Sequence, residues 1–159
     1  MRVNLWGPVH GVEAFVPRMI EQGGDGYVLF TSSFAGIVPN RNLGPYNVTK
    51  AGVVALAESL RKNLSETAIG VSVLCPMRVS TNIDRSYRNR PTELGRKTSA
   101  YSEDERASLV GRPLEPDLVA DLVLDAIQRD QMYIHTHKEA EALVRRRAER
   151  LCADFTHAL

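Results

Sequence analysis

Apolar residues recur at Leu5, Val9, Val12, Val16 and Met19, in steps of four and three that trace one face of a helix. Pro17 falls inside this run and is expected to kink it or force a local adjustment, because proline has no N–H to give the helix. Gly23, Gly24 and Gly26, with Asp25 between them, end the run and turn the chain. The apolar run Tyr27-Val28-Leu29-Phe30 then leads into Thr31-Ser32-Ser33. It fits a buried strand of a parallel sheet, covered on both faces. A loop with Gly36, Pro39, Asn40, Asn42, Gly44 and Pro45 precedes a second helix, with Val53, Leu56, Ala57, Leu60 and Leu64 on one face. Ala51, Gly52 and Ala55 are small enough to let another backbone approach that helix.

Residues 70–75 read as a second buried strand, stopped by Pro76. Residues 82–113 are polar and rich in arginine, which predicts a substrate lid outside the core, with a helix near 103–109. Pro116 opens a helix bearing Leu118, Leu122, Val123, Ala126 and Ile127. Residues 132–136 read as a third strand and 139–151 as a charged final helix. Helices alternating with strands predict an α/β fold, a parallel sheet with flanking helices. Three strands make a thin sheet with one face or edge poorly covered. That points to further elements ahead of Met1.

Composition narrows the class. The chain has 159 residues, 43% hydrophobic and 25% charged, as expected of one globular domain. Its net charge of +1 gives no bulk attraction to nucleic acid or anionic membrane. No window approaches the ~20 apolar residues of a membrane span. The first eleven residues lack the unbroken apolar core of a signal peptide. Cys75 and Cys152 are too few for a disulfide framework and fit a reducing compartment. The cytoplasm is therefore the expected location.

Four residues carry candidate chemistry. Tyr46 and Lys50 are four apart at the start of the second helix and share one face. A cation beside a phenol favours the phenolate and lowers its pKa from about 10 toward the working range of a general acid/base. Ser33 ends the first strand, on the side where open α/β sheets bind ligands. Its hydroxyl is suited to a substrate oxygen. Asn4, near the start of the first helix, is suited to hold a relay water or to cap that helix.

Other clusters read more plainly. His135 and His137 share a strand face by the period of two, but no further ligands are spaced for a metal, so no metal site is expected. Arg145, Arg146, Arg147 and Arg150 alternate with Glu139, Glu141 and Glu149, as on a solvated helix. Arg85, Arg88, Arg90, Arg96 and Lys97 suit either a solvated lid or an anionic substrate.

Taken in order, Asn4-Leu5-x-Gly7, Ser33-x-Ala35-Gly36, Tyr46-Asn47-Val48-Thr49-Lys50 and Pro76-x-x-Val79-x-Thr81 resemble successive motifs of the short-chain dehydrogenase/reductase family. The resemblance runs from about residue 3 to the end and is weakest over 82–113. It implies the C-terminal part of a doubly wound, Rossmann-like parallel sheet, as a single incomplete domain over residues 1–159. It implies an oxidoreductase that interconverts an alcohol and a ketone with NAD or NADP. In such a site Tyr46 is the acid/base and also contacts the cofactor, and Lys50 tunes it and bonds the nicotinamide ribose. Ser33 orients the substrate oxygen and Asn4 positions a water. Pro76, Val79 and Thr81 face the nicotinamide end.

The resemblance also implies a homodimer or homotetramer packed through helices at 4–22 and 45–65. Met77 departs from the family's usual glycine, and Thr49 from a common serine. The family's glycine-rich phosphate turn has no counterpart here, nor has its selector after strand two or its N-N-A-G stretch. On the order of a hundred residues are expected before this segment, at ~30 per βαβ unit. The alternative reading is a truncated, non-catalytic fragment or dimerisation module.

Overall fold

The computed structural model describes residues 1–83 and 111–157. The helix expected near 103–109, and all but the ends of the expected lid, lie outside the described residues. In chain order the elements are α1 (Gly7–Gln22), β1 (Gly26–Thr31), α2 (Gly44–Asn63), β2 (Ile69–Cys75), α3 (Pro116–Gln128), β3 (Tyr133–His135) and α4 (Glu141–Ala153). A π-helical turn, Arg2–Trp6, leads into α1, and 3-10 turns lie at Phe34–Gly36, Lys138–Ala140 and Asp154–His157. Helix α1 continues through Pro17.

The three strands form one parallel sheet in the order β1-β2-β3. Val28 and Phe30 lie opposite Val71 and Val73 in the register, so all four face the same way. Helix α2 covers that face with Val53, Val54, Ala57 and Leu60, and α1 adds Val16 at its margin. Val53, Val71 and Val73 are fully buried, worth roughly 1.5–3 kcal/mol each. The opposite face is covered by α3, where Val119 and Ala126 pack on Leu74 and Ile134.

This second layer reaches β2 and β3 but leaves Leu29 of β1 39% exposed. The expectation of a strand covered on both faces therefore holds for central β2 and fails for β1. A run of apolar residues reports what a strand can bury, not whether a helix lies over it.

Gly70 has a packing reason. A Cβ there would stand 2.3 Å from the Tyr27 ring. The Cδ2–Cε2 side of the ring lies against the glycine, and its hydroxyl meets Ser72 Oγ at 2.6 Å. Ser72 in turn donates to the Gln131 carbonyl at 2.5 Å, which satisfies a fully buried hydroxyl.

The shared strand face expected for His135 and His137 is corrected. Strand β3 stops at His135, and His137 precedes the Lys138–Ala140 turn. His135 is exposed at the strand end, whereas His137 is buried. A bend at Thr136 ends the strand between them, so the period of two does not carry from one to the other even though His137 is itself extended.

Candidate active site

Three segments converge at the carboxyl end of the sheet. The first is the end of β1. Ser32 N–H donates to the Leu74 carbonyl at 2.8 Å, and Phe34 N–H to the Pro76 carbonyl at 2.9 Å. These bonds set the Ser33 turn against the segment that follows β2. Ser33 itself is extended, and its Oγ accepts from Ala35 N–H at 3.2 Å. A hydroxyl that already accepts on one side keeps its own hydrogen to donate.

The second segment is the first turn and a half of α2. Pro45 sits at the helix start, where a missing N–H is harmless. Asn47 is buried and pairs with both backbone groups of Asn40, donating to its carbonyl at 2.7 Å and accepting from its N–H at 3.3 Å. The loop before the helix is thereby tied to the helix. Tyr46 and Lys50 follow on one face, with Lys50 Nζ 5.9 Å from the centre of the Tyr46 ring. The same Nζ donates to the Thr31 carbonyl at 3.0 Å. The cation is thus held between the β1 end and the phenol. Burial lowers the Lys50 pKa below the ordinary lysine value, and the neighbouring Cys75 sulfur opposes that shift. Burial pushes the Cys75 thiol up to about 12, against the pull of Lys50.

The third segment is residues 76–81. Pro76 ends β2, Val79 forms a parallel bridge with Leu114, and Thr81 N–H turns back to the Val79 carbonyl at 2.8 Å. Thr81 is exposed at the rim.

Asn4 lies in the π-helical turn before α1 and is exposed. Its side chain caps neither that turn nor α1, which removes the cap reading. Leu5 seats the turn on α2. A Cβ on Gly52 would stand 2.7 Å from Leu5 Cδ1, so the small residue lets the turn close in, two positions beyond Lys50. Inserted π turns occur often at functional sites.

Ser33, Tyr46 and Lys50 were legible in the sequence, and Gly36 and Asn47 stood in the same motifs, but the supporting contacts of Ser32, Gly36 and Asn47 were not legible there. Small and polar residues crowded into a strand-end loop were the available signal.

This is an α/β protein with a Tyr-x-x-x-Lys helix at the carboxyl edge of a parallel sheet. The family model described as short chain dehydrogenase matches residues 1–92. The chain belongs to that family. It is 35% identical over 142 residues to the C alpha-dehydrogenase of a Sphingobium species, covering 86% of this chain and 46% of that protein. It is 32% identical to the 1-deoxy-11-beta-hydroxypentalenate dehydrogenase of Streptomyces avermitilis, covering 87% and 46%. Among solved structures, a short chain dehydrogenase/reductase from Burkholderia phymatum in complex with NAD superposes with a TM-score of 0.81 at 34% identity, over 96% of this chain and 57% of that one. The chain thus spans about half the length of the relatives it matches.

Proposed function

We propose that this chain is the catalytic part of an NAD- or NADP-dependent oxidoreductase that interconverts an alcohol and a ketone. The observation that carries this reading is Lys50, its ammonium held between the Thr31 carbonyl and the Tyr46 ring beside the Ser33 turn. The NAD complex of the Burkholderia relative supports the cofactor class.

The residues fit the nicotinamide end of such a cofactor. Lys50 offers a half-buried cation at the sheet edge, and residues 76–81 form a ledge tied to the Ser33 turn through Phe34 and Pro76. Pro76, Val79 and Thr81 are assigned to the nicotinamide and Lys50 to its ribose. The pyrophosphate end is assigned to no residue of this chain. When bound, the cofactor supplies or accepts the hydride. Ser33, its Oγ already accepting from Ala35, donates its hydrogen to the substrate oxygen. Tyr46 exchanges a proton with that same oxygen. Lys50 stabilises negative charge developing on the phenol oxygen. Asn4 holds a water that passes the proton outward.

A second reading, a dimerisation module without turnover, is favoured by the exposed Val3, Trp6, Phe15 and Ile20 at and along α1. The same surface supports a homodimer or homotetramer of an active enzyme. The substrate is proposed to be a small molecule. Among the described residues no helix is long and apolar enough to cross a membrane. Both cysteines are free, which supports a cytoplasmic protein.

The test joins this chain, in frame, to the nucleotide-binding half of the Sphingobium relative. NAD(P)-dependent turnover of an alcohol or ketone is expected, and Tyr46→Phe should reduce kcat by about a hundredfold or more while the circular dichroism spectrum stays unchanged. Turnover by Tyr46→Phe within a few-fold of the parent would remove Tyr46 from the acid/base role. A folded chimera that binds the cofactor yet turns over no alcohol or ketone would favour the module.

A further inference from the structure

We infer that His137 is a positioning residue that fixes residues 77–80, the ledge assigned above to the nicotinamide end. The functional half of this inference rests on that assignment, and the geometric half does not. His137 is 5% exposed, and both ring nitrogens are engaged. Nε2 lies 2.8 Å from the Arg112 carbonyl, and Nδ1 lies 2.8 Å from Thr136 Oγ1. Thr136 Oγ1 also accepts from Met77 N–H at 3.2 Å.

The polarity of this chain of bonds follows from elementary chemistry. A carbonyl only accepts, so Nε2 carries a hydrogen. In the uncharged ring Nδ1 is then an acceptor, and Thr136 donates to it. Thr136 keeps its lone pairs for Met77 N–H. The order is Met77 N–H to Thr136, Thr136 O–H to His137, and His137 N–H to Arg112.

Both ends of that chain return to the same ledge. One arm reaches Met77 through Thr136. The other holds Arg112, whose neighbours hold the rest: Gly111 O accepts from Arg78 Nη1 at 2.9 Å, Leu114 N–H donates to Arg78 O at 3.0 Å, and Ser80 N–H donates to Leu114 O at 2.8 Å. Gly111 supplies an independent sign that the ring and the chain are fitted to each other. Its φ is +85°, and a Cβ there would stand 2.3 Å from His137 Cδ2. Glycine alone lets the backbone turn left-handed directly over the imidazole. A histidine held only as core filling needs neither the directed bonds nor the glycine.

The geometric half is tested on the 159-residue chain by NMR. The imidazole nitrogen spectrum of the parent should show a hydrogen on Nε2, the nitrogen that faces the Arg112 carbonyl. His137→Phe keeps a ring but removes both bonds. It should speed amide exchange at Ser80 and Leu114 by about tenfold while leaving Val73 in the sheet unchanged. Gly111→Ala should do the same, and His137→Gln, which keeps one donor, should restore part of the protection. A parent ring with no hydrogen on Nε2, or acceleration spread equally to Val73, would overturn the clamp. The spectrum of the parent decides the matter if the variants do not fold.

The functional half is tested in the chimera described above. His137→Phe should raise the cofactor KM about fivefold or more, with the alcohol or ketone KM and the pH profile unchanged. An unchanged cofactor KM alongside unprotected ledge amides would sever the clamp from the cofactor. A parent chimera that proves inactive while the clamp signatures are present would sink the site assignment and leave the clamp standing.

Discussion

Ser32 Oγ donates a 2.7 Å hydrogen bond to the Lys50 carbonyl, inside α2. The adjacent residue, Thr31, accepts from the Lys50 ammonium. The last residue of β1 and the one after it therefore hold one lysine at its tip and at its backbone. The Lys50 carbonyl also lies within the helix ladder, so Ser32 uses its second lone pair. Loss of the hydroxyl leaves that carbonyl with its helical donor. Ser32→Ala should lower stability by about 1 kcal/mol, the net value of one such bond, and urea midpoints with an unchanged slope would show it. A loss well above about 3 kcal/mol would mean that the strand end had come apart, not that one bond had been removed.

Gly36 closes the same junction. A Cβ there would stand 2.6 Å from both the Lys50 carbonyl oxygen and Ser32 Oγ, and 2.8 Å from the Lys50 carbonyl carbon. Two of these three atoms are helix backbone, which cannot step aside as a flexible side chain can. Gly36→Ala should therefore destabilise by about 1–3 kcal/mol, as other overpacked sites do. Gly44 is the control, at the start of α2 with nothing within 4 Å of a Cβ and no positive φ. Gly44→Ala should be neutral or stabilising by up to about 1 kcal/mol, through the lower entropy of the unfolded chain. Equal losses at the two glycines in thermal unfolding would refute the packing argument.

These two positions also mark where the sequence stopped being legible. The elements themselves could be read, because α1 and α2 each bury a recurring face and β2 is one short run buried on both faces, and both patterns are written in the residue order. The pair Tyr46 and Lys50 could be read for the same reason, being one helical turn apart. Which of Ser32 and Ser33 turns inward could not. Both are small hydroxyl residues at a strand end, and the choice depends on α2 lying over the sheet. The exposure of Leu29 depends on which helix reaches β1. The burial of His137 depends on where β3 stops. Each of these is set by contacts between segments distant in sequence, and local pattern carries no record of them. The supports of the candidate site belong to this class, whereas the groups proposed to react do not.

Cys75 offers a test of the core beneath the site. Its thiol is 1% exposed, and burial pushes its pKa up to about 12. Between pH 9 and about 12 the unfolded chain releases this proton and the folded chain retains it. The folded state then binds more protons, so stability falls as pH rises through that window. By about pH 10.5 the loss from this thiol should reach about 2 kcal/mol, at roughly 1.4 kcal/mol per pH unit. Tyr133, also pushed up to about 12 by burial and by its bond to Glu58, contributes in the same direction. Lys50, whose pKa is lowered, contributes in the opposite one. Both remain in Cys75→Ala, so the comparison reads the thiol together with its coupling to Lys50 and Tyr133. The variant should start less stable at pH 8, because it leaves a small cavity against the α2 face. It should then lose less stability than the parent as the pH is raised. Urea unfolding of both proteins at pH 8 and 10.5 gives the two differences, and parallel losses would mean that the Cys75 thiol ionises in the folded protein as readily as in the unfolded chain.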